Sequence, residues 1–303
     1  MRILRFSLVS ALALFLLCET AARYFGVVDF PLYETDPTIK YIVKADQKGA
    51  FLNRNDWYFN NMNMPIDEAY DAARRPDILL VGNSIIMGGN SFRQADKLTP
   101  LLQRMIGDGA TVWPAAIGGW TQINEMAYLD RHADIARNAD YIAWEYMAGG
   151  LSAATPWNGE YAFPTQRPLC AACYAFRRYV LAKLLRFGAG GELPVTGAPL
   201  PENVENFERH LAALALSQGA ARPGLIWLYP TRAQLAEARA GRDWLPERAL
   251  IAALAEKYRF KIVDIAAHPE WRAELYADGV HPGVAGNKVL AQILYGEISG
   301  LRY

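Results

Sequence analysis

Five short apolar runs, at residues 78–81, 112–117, 141–144, 225–229 and 261–265, alternate with stretches of helical period at 98–106, 122–135, 203–216 and 246–258. Strands separated by helices cannot pair through tight hairpins. They pair in parallel through helical crossovers, and the sheet they form is covered on both faces. A final amphipathic stretch at 286–298 adds one more helix. The expected fold is an α/β three-layer α/β/α sandwich with a mostly parallel central sheet, over residues 71–303. At 303 residues and 52% hydrophobic, the chain is long enough to bury one core of that size. In such sheets ligands sit beyond the C-terminal ends of strands. Ser84, Gly118-Gly119 and the segment after Trp144 fall there.

Three stretches stand outside the alternation. Arg2 and Arg5 precede an apolar run from Phe6 to Cys18, closed by Glu19, so residues 1–25 read as a signal peptide or signal anchor. Thr20-Ala21-Ala22 is a passable cleavage site, but the anchor is the preferred reading, with the remaining chain outside the cytoplasm. Residues 26–70, aromatic and Asn-rich without a clear period, read as an extended lead-in from membrane to domain surface. Residues 151–202 exceed ordinary loop length and read as an insertion, of the kind that makes lids or binding segments. Within it Cys170 and Cys173 form a CxxC that suits a local disulfide in an exported protein.

A formal net charge of zero gives no electrostatic case for a nucleic-acid partner. No glycine-rich phosphate loop, dinucleotide fingerprint or zinc-type ligand cluster occurs, so neither cofactor nor metal is expected. Four histidines are available as a base. His132 and His210 lie in charged helical stretches and read as surface or satisfied side chains, and His268 after Asp264 is a weak base–carboxylate pair. His281 follows Asp278 by three residues just before a helix, and Ser84 stands at the sharp turn Gly82-Asn83 after an apolar strand. Serine, imidazole and carboxylate are the three groups that activate a hydroxyl nucleophile.

The segments Gly82-Asn83-Ser84 and Asp278-Gly-Val-His281-Pro resemble the first and fifth sequence blocks of the SGNH (GDSL-type) hydrolase superfamily, in that family's order. The family has aspartate where this chain has Asn83. The resemblance implies a flavodoxin-like fold, with Ser84 as nucleophile, His281 as general base and Asp278 as its orienter. Ala115-Ala-Ile-Gly-Gly119 resembles the second block, which implies oxyanion donors at Gly119, its neighbour Gly118 and the Ser84 amide. At the third block the family places an asparagine, and Gly149 stands nearest to it here. One missing donor of this kind costs roughly a hundred- to a thousandfold in rate. Trp144-Glu145 is similar to a segment of proteins that O-acetylate exported polysaccharides of the alginate type, although those place the Asp/His pair ahead of the serine; core packing explains it equally well.

The resulting expectation is an exported serine esterase or O-acetyltransferase acting on acyl esters of envelope polysaccharide. It is held at the inner membrane by the N-terminal helix, with a membrane acyltransferase as a potential partner. Asn83, Trp120 and Glu145 are the candidate substrate contacts, Trp120 by stacking on a sugar ring. The alternatives are a lipase or thioesterase that uses the insertion as a lid, and a non-catalytic glycan-binding protein that has kept the fold.

Overall fold

The computed structural model describes residues 2–73, 77–181, 197–217 and 224–299. Residues 182–196 of the expected insertion lie outside them. Counting strands from the N-terminus, β5 (Asp77–Gly82), β6 (Thr111–Ala116), β7 (Tyr141–Tyr146), β8 (Gly224–Leu228) and β9 (Lys261–Asp264) form one all-parallel sheet in the order β6-β5-β7-β8-β9. The four longer strands are buried along their whole length, as a sheet covered on both faces requires. Helices Leu98–Ile106 and Val284–Ser299 pack together, whereas Gln122–Arg131, Ala133–Asn138 and Arg248–Lys257 pack against Pro201–Ser217. The single helix expected over 122–135 breaks at His132, whose φ of −115° and ψ of 48° are not helical.

This strand order reverses direction once. The chain leaves β5 for β6 on one side, then crosses back to β7 on the other. Crossovers diverge at that point and leave a crevice beyond the C-terminal end of β5, where doubly wound sheets bind ligands.

The expectation of an extended lead-in at 26–70 is corrected by the structure. Two antiparallel hairpins occupy residues 33–59 of it: β1 (Tyr33–Asp36) with β2 (Lys40–Val43), and β3 (Gln47–Phe51) with β4 (Asn55–Phe59). Ile39, Tyr41, Val43, Trp57 and Phe59 belong to the main core. Asp36 nucleates the first turn by accepting from the Thr38 and Ile39 amides, and the second carries Leu52 and Asn53 at positive φ. A period-two burial pattern does exist in Asn55–Phe59, but five residues are too few for it to stand out in sequence.

The N-terminal helix Arg2–Tyr24 includes a 20-residue stretch, Arg5–Tyr24, long and apolar enough to cross a membrane. Its C-terminal end is attached to the body. Arg23 bonds Glu19 and the Leu169 carbonyl at 2.7 Å each, and Glu19 accepts the Ala172 amide at 2.8 Å. Ala22, Val28, Phe30 and Ala171 form a small separate core beside it. Cys170 and Cys173 are disulfide-bonded, closing the turn that docks there.

Candidate active site

Strand β5 ends at Gly82, and Asn83 turns the chain into the short helix Ser84–Met87 by accepting the Ile85 amide on its side-chain oxygen at 3.1 Å. The turn is tight. A Cβ on Gly82 would lie 2.4 Å from Glu145 Oε2 and 2.6 Å from Ile86 Cδ1, both buried. Gly82→Ala is therefore expected to destabilise the chain by about 1–3 kcal/mol, as overpacking of a filled core does. A urea titration of the purified protein measures this, and an unchanged midpoint would show that the turn can relax.

Ser84 Oγ lies 2.9 Å from His281 Nε2, and His281 Nδ1 lies 2.8 Å from Asp278 Oδ2. The other carboxylate oxygen, Oδ1, accepts the Val280 and His281 amides at 2.7 Å each. Partial burial pulls the Asp278 pKa upward, but the two amides and the imidazole outweigh it and hold the carboxyl below its ordinary value. An ionised Asp278 favours the tautomer with its proton on Nδ1, which leaves Nε2 free to accept from the serine hydroxyl. The carboxylate, imidazole and hydroxyl expected from sequence thus stand in one hydrogen-bonded row across 197 positions of sequence separation.

The two glycines after β6 make a turn closed by the Trp120 amide on the Ile117 carbonyl at 3.2 Å, with Gly119 at φ 81°. A Cβ on Gly118 would lie 3.8 Å from Ser84 Cβ, whereas one on Gly119 would meet the Tyr41 hydroxyl at 2.8 Å and Phe163 at 3.4 Å. Gly118 is thus the glycine beside the serine. Its amide donates to Met87 Sδ at 3.0 Å, and its carbonyl accepts the Tyr41 hydroxyl at 2.9 Å. A thioether is a weak acceptor, so an oxyanion would displace it readily. Tyr41 comes from the first hairpin and was not foreseen from sequence.

Gly149, at the position of the missing asparagine, has φ 79° and directs its amide to the buried Glu247 carboxylate, which also accepts the Tyr146 hydroxyl at 3.1 Å. Its amide is turned to Glu247, a residue with no sequence signal for such a role.

Trp120 lines the cavity with Ser84, but it is 3% exposed, its ring packs against Tyr128, and its Nε1 donates to the Tyr41 carbonyl at 3.1 Å. Glu145, expected as a substrate contact, is fully buried beneath the Gly82–Ser84 turn, where Oε2 accepts the Asn83 amide at 3.3 Å. Asn83 lines the cavity beside Ser84 while serving as helix cap. Among the other histidines, His210 bonds Asp130 and the Asn206 carbonyl, and His132 packs on Tyr128. Asp264 pairs with Arg248 and the Ala266 amide.

Ser84 opens into a cavity of about 1580 Å³. Its walls include Phe163, Val204, Trp244 and Leu250, with Asn158 and Gln234 among the polar groups. The insertion supplies one side through Thr155, Asn158, Ala162, Phe163 and Arg178.

No protein-family model and no curated protein matches the chain. Among solved structures it is similar to the psychrotrophic esterase EstA from Pseudoalteromonas sp., at 12% identity over 74% of this chain and 97% of that one, with a TM-score of 0.45. It is similar to LAE5, an alpha/beta hydrolase from the metagenome of Lake Arreo, at 15% identity over 76% of this chain and 98% of that one, with a TM-score of 0.47. A carbohydrate acetylesterase family member from Sinorhizobium meliloti matches at 14% identity over 74% of this chain and 98% of that one, with a TM-score of 0.43. These are likenesses of chain path at low scores, and the chemistry of this protein rests on its own side chains.

Proposed function

We propose that the chain is a membrane-anchored, exported serine esterase or O-acyltransferase of the SGNH type, acting on acyl esters of envelope polysaccharide. The row Ser84–His281–Asp278, with Ser84 lining a large cavity, carries this reading. His281 takes the Ser84 proton as the hydroxyl attacks the ester carbonyl, the tetrahedral oxyanion is held by backbone amides beside Ser84, and the imidazole returns the proton to the leaving alkoxide. The acyl group stays on Ser84 Oγ until water or a sugar hydroxyl, deprotonated by the same imidazole, attacks it. The cavity far exceeds the volume of an acetyl group, so the remainder is space for an extended acceptor or leaving group. Asn158, Gln234 and Glu205 offer hydrogen bonds to hydroxyls along it.

The retained anchor is favoured by the attachment of the helix end: cleavage after Ala22 would remove Glu19 and the acceptor of the Ala172 amide. The apolar wall of Val204, Trp244 and Leu250 supports a second reading, hydrolysis of long acyl esters or thioesters. Purified protein supplied with an isotopically labelled acetyl ester, with and without acetyl-free polysaccharide, separates the outcomes. Label on the glycan establishes transfer, and free acetate in both reactions establishes hydrolysis. Turnover that rises steeply with acyl length and ignores acetyl esters would replace the polysaccharide reading with the lipase one.

A further inference from the structure

The described surface has one apolar patch that the catalytic reading leaves unused. Leu169 is 98% exposed, and Phe176, Tyr179 and Val180 are exposed on the helical segment that follows the disulfide. Cys173, Phe176 and Val180 are exposed along this segment, which passes from α-helix (Ala171–Ala175) into a π-helical turn (Phe176–Leu181), and Leu169 precedes it in the turn. Monomeric proteins rarely leave such a cluster in water unless something covers it.

The position of the patch indicates what covers it. The turn 168–172 is held against residues 19–23 of the N-terminal helix by Glu19 and Arg23. The apolar stretch Arg5–Tyr24 rises about 30 Å, one hydrocarbon thickness. The Glu19–Arg23 ion pair and the aromatic pair Tyr24-Phe25 stand at its outer end, where charged and aromatic side chains meet headgroups. Whatever is docked to residues 19–23 lies at that depth. Arg177, exposed on the same segment, lies over the Tyr161 ring at 5.2 Å and carries a positive charge that anionic headgroups would attract.

We propose that Leu169 and the segment Ala171–Leu181 form a second membrane contact, seated in the interface of the leaflet that the N-terminal helix crosses. This rests on the anchor reading above. Arg178 of the segment lines the catalytic cavity, as do Ala162 and Phe163, while their neighbours Glu160 and Tyr161 line a smaller hollow of about 390 Å³ with Leu169 and Cys173. The insertion thus borders the catalytic cavity on one side and carries the proposed membrane contact on the other.

The test uses the full chain reconstituted in vesicles that contain an alkyne-tagged phospholipid, with a photoreactive benzophenone side chain at position 169, 176 or 216. Leu216 is 83% exposed on the helix Pro201–Ser217 and serves as reference. The expected result is lipid adducts at 169 and 176 in several-fold excess over 216. Equal yields at all three positions, or adducts to a second copy of the chain at 169 and 176, would overturn the contact. Alkaline carbonate extraction separates this from the anchor. A chain that stays with the vesicles but gives no excess adducts refutes the second contact alone, and a chain that is released refutes the anchor with it.

Discussion

Ser84→Ala is expected to lower ester turnover by about 10⁴- to 10⁶-fold, the scale seen when one member of a serine–histidine pair is removed. A fluorophosphonate probe should label the wild type and leave this variant unlabelled. His281→Ala should cost a similar factor, and the double variant little more, because the imidazole has no work without the hydroxyl it deprotonates. The folding cost should be small. Ser84 is partly exposed, and the turn beneath it is held by Gly82 and by the Asn83 cap rather than by the hydroxyl. Thermal unfolding of each variant near the wild-type midpoint would show that the loss is chemical. A folded wild type that takes no label would favour the non-catalytic reading. Labelling that persists in Ser84→Ala would move the nucleophile elsewhere.

Glu125 should produce the largest dependence of stability on pH. It lies on the helix Gln122–Arg131, fully buried, with Oε2 accepting Trp144 Nε1 at 2.7 Å and Oε1 without a partner among the described residues. Burial pushes its pKa up to about 8, against which the Trp144 hydrogen bond acts only weakly. The native state therefore keeps its proton where the unfolded chain, at the ordinary value of 4.5, has lost it. A pKa raised on folding stabilises fully below the unfolded value, and that stability is lost as pH rises towards the folded one. Each pH unit in this window costs about 1.4 kcal/mol. Glu125→Gln keeps an acceptor for Trp144 and removes the titration. Relative to wild type, the variant should gain about 3–4 kcal/mol between pH 5 and pH 8, measured by urea unfolding across that range. Parallel pH profiles for the two proteins would show that the carboxyl ionises inside the fold.

Much of this molecule was legible before its structure. Apolar runs of strand length that alternate with helical periods leave little choice but a parallel sheet with crossovers, and all five strands stand within two residues of the expected ends. The turn at Ser84 was equally visible, because a glycine, a capping asparagine and a serine after an apolar run describe a local geometry. The hairpins at 33–59 were not visible, since their strands are only four or five residues long and much of their burial comes from partners distant in sequence. The surroundings of Trp120 and Glu145 were hidden for a related reason. A side chain near a strand end points to crevice or core according to what packs behind it, and here Tyr128 and the Tyr41 carbonyl hold Trp120 at the cavity wall while the Asn83 amide holds the buried Glu145.

By itself the sequence determined the sheet, its helical cover and the identity of the three groups that serine chemistry needs, because each follows from local period or from residue type. Only the tertiary structure decided that Ser84, His281 and Asp278 lie within hydrogen-bonding reach, that Tyr41 holds the Gly118 carbonyl, and that Gly149 answers to Glu247. Apart from the Asp278–His281 pair, three residues apart, those are contacts between segments 77 to 197 residues apart, formed when strands converge on one edge of a sheet. No local pattern encodes the distances between such ends; the packing of the whole core does.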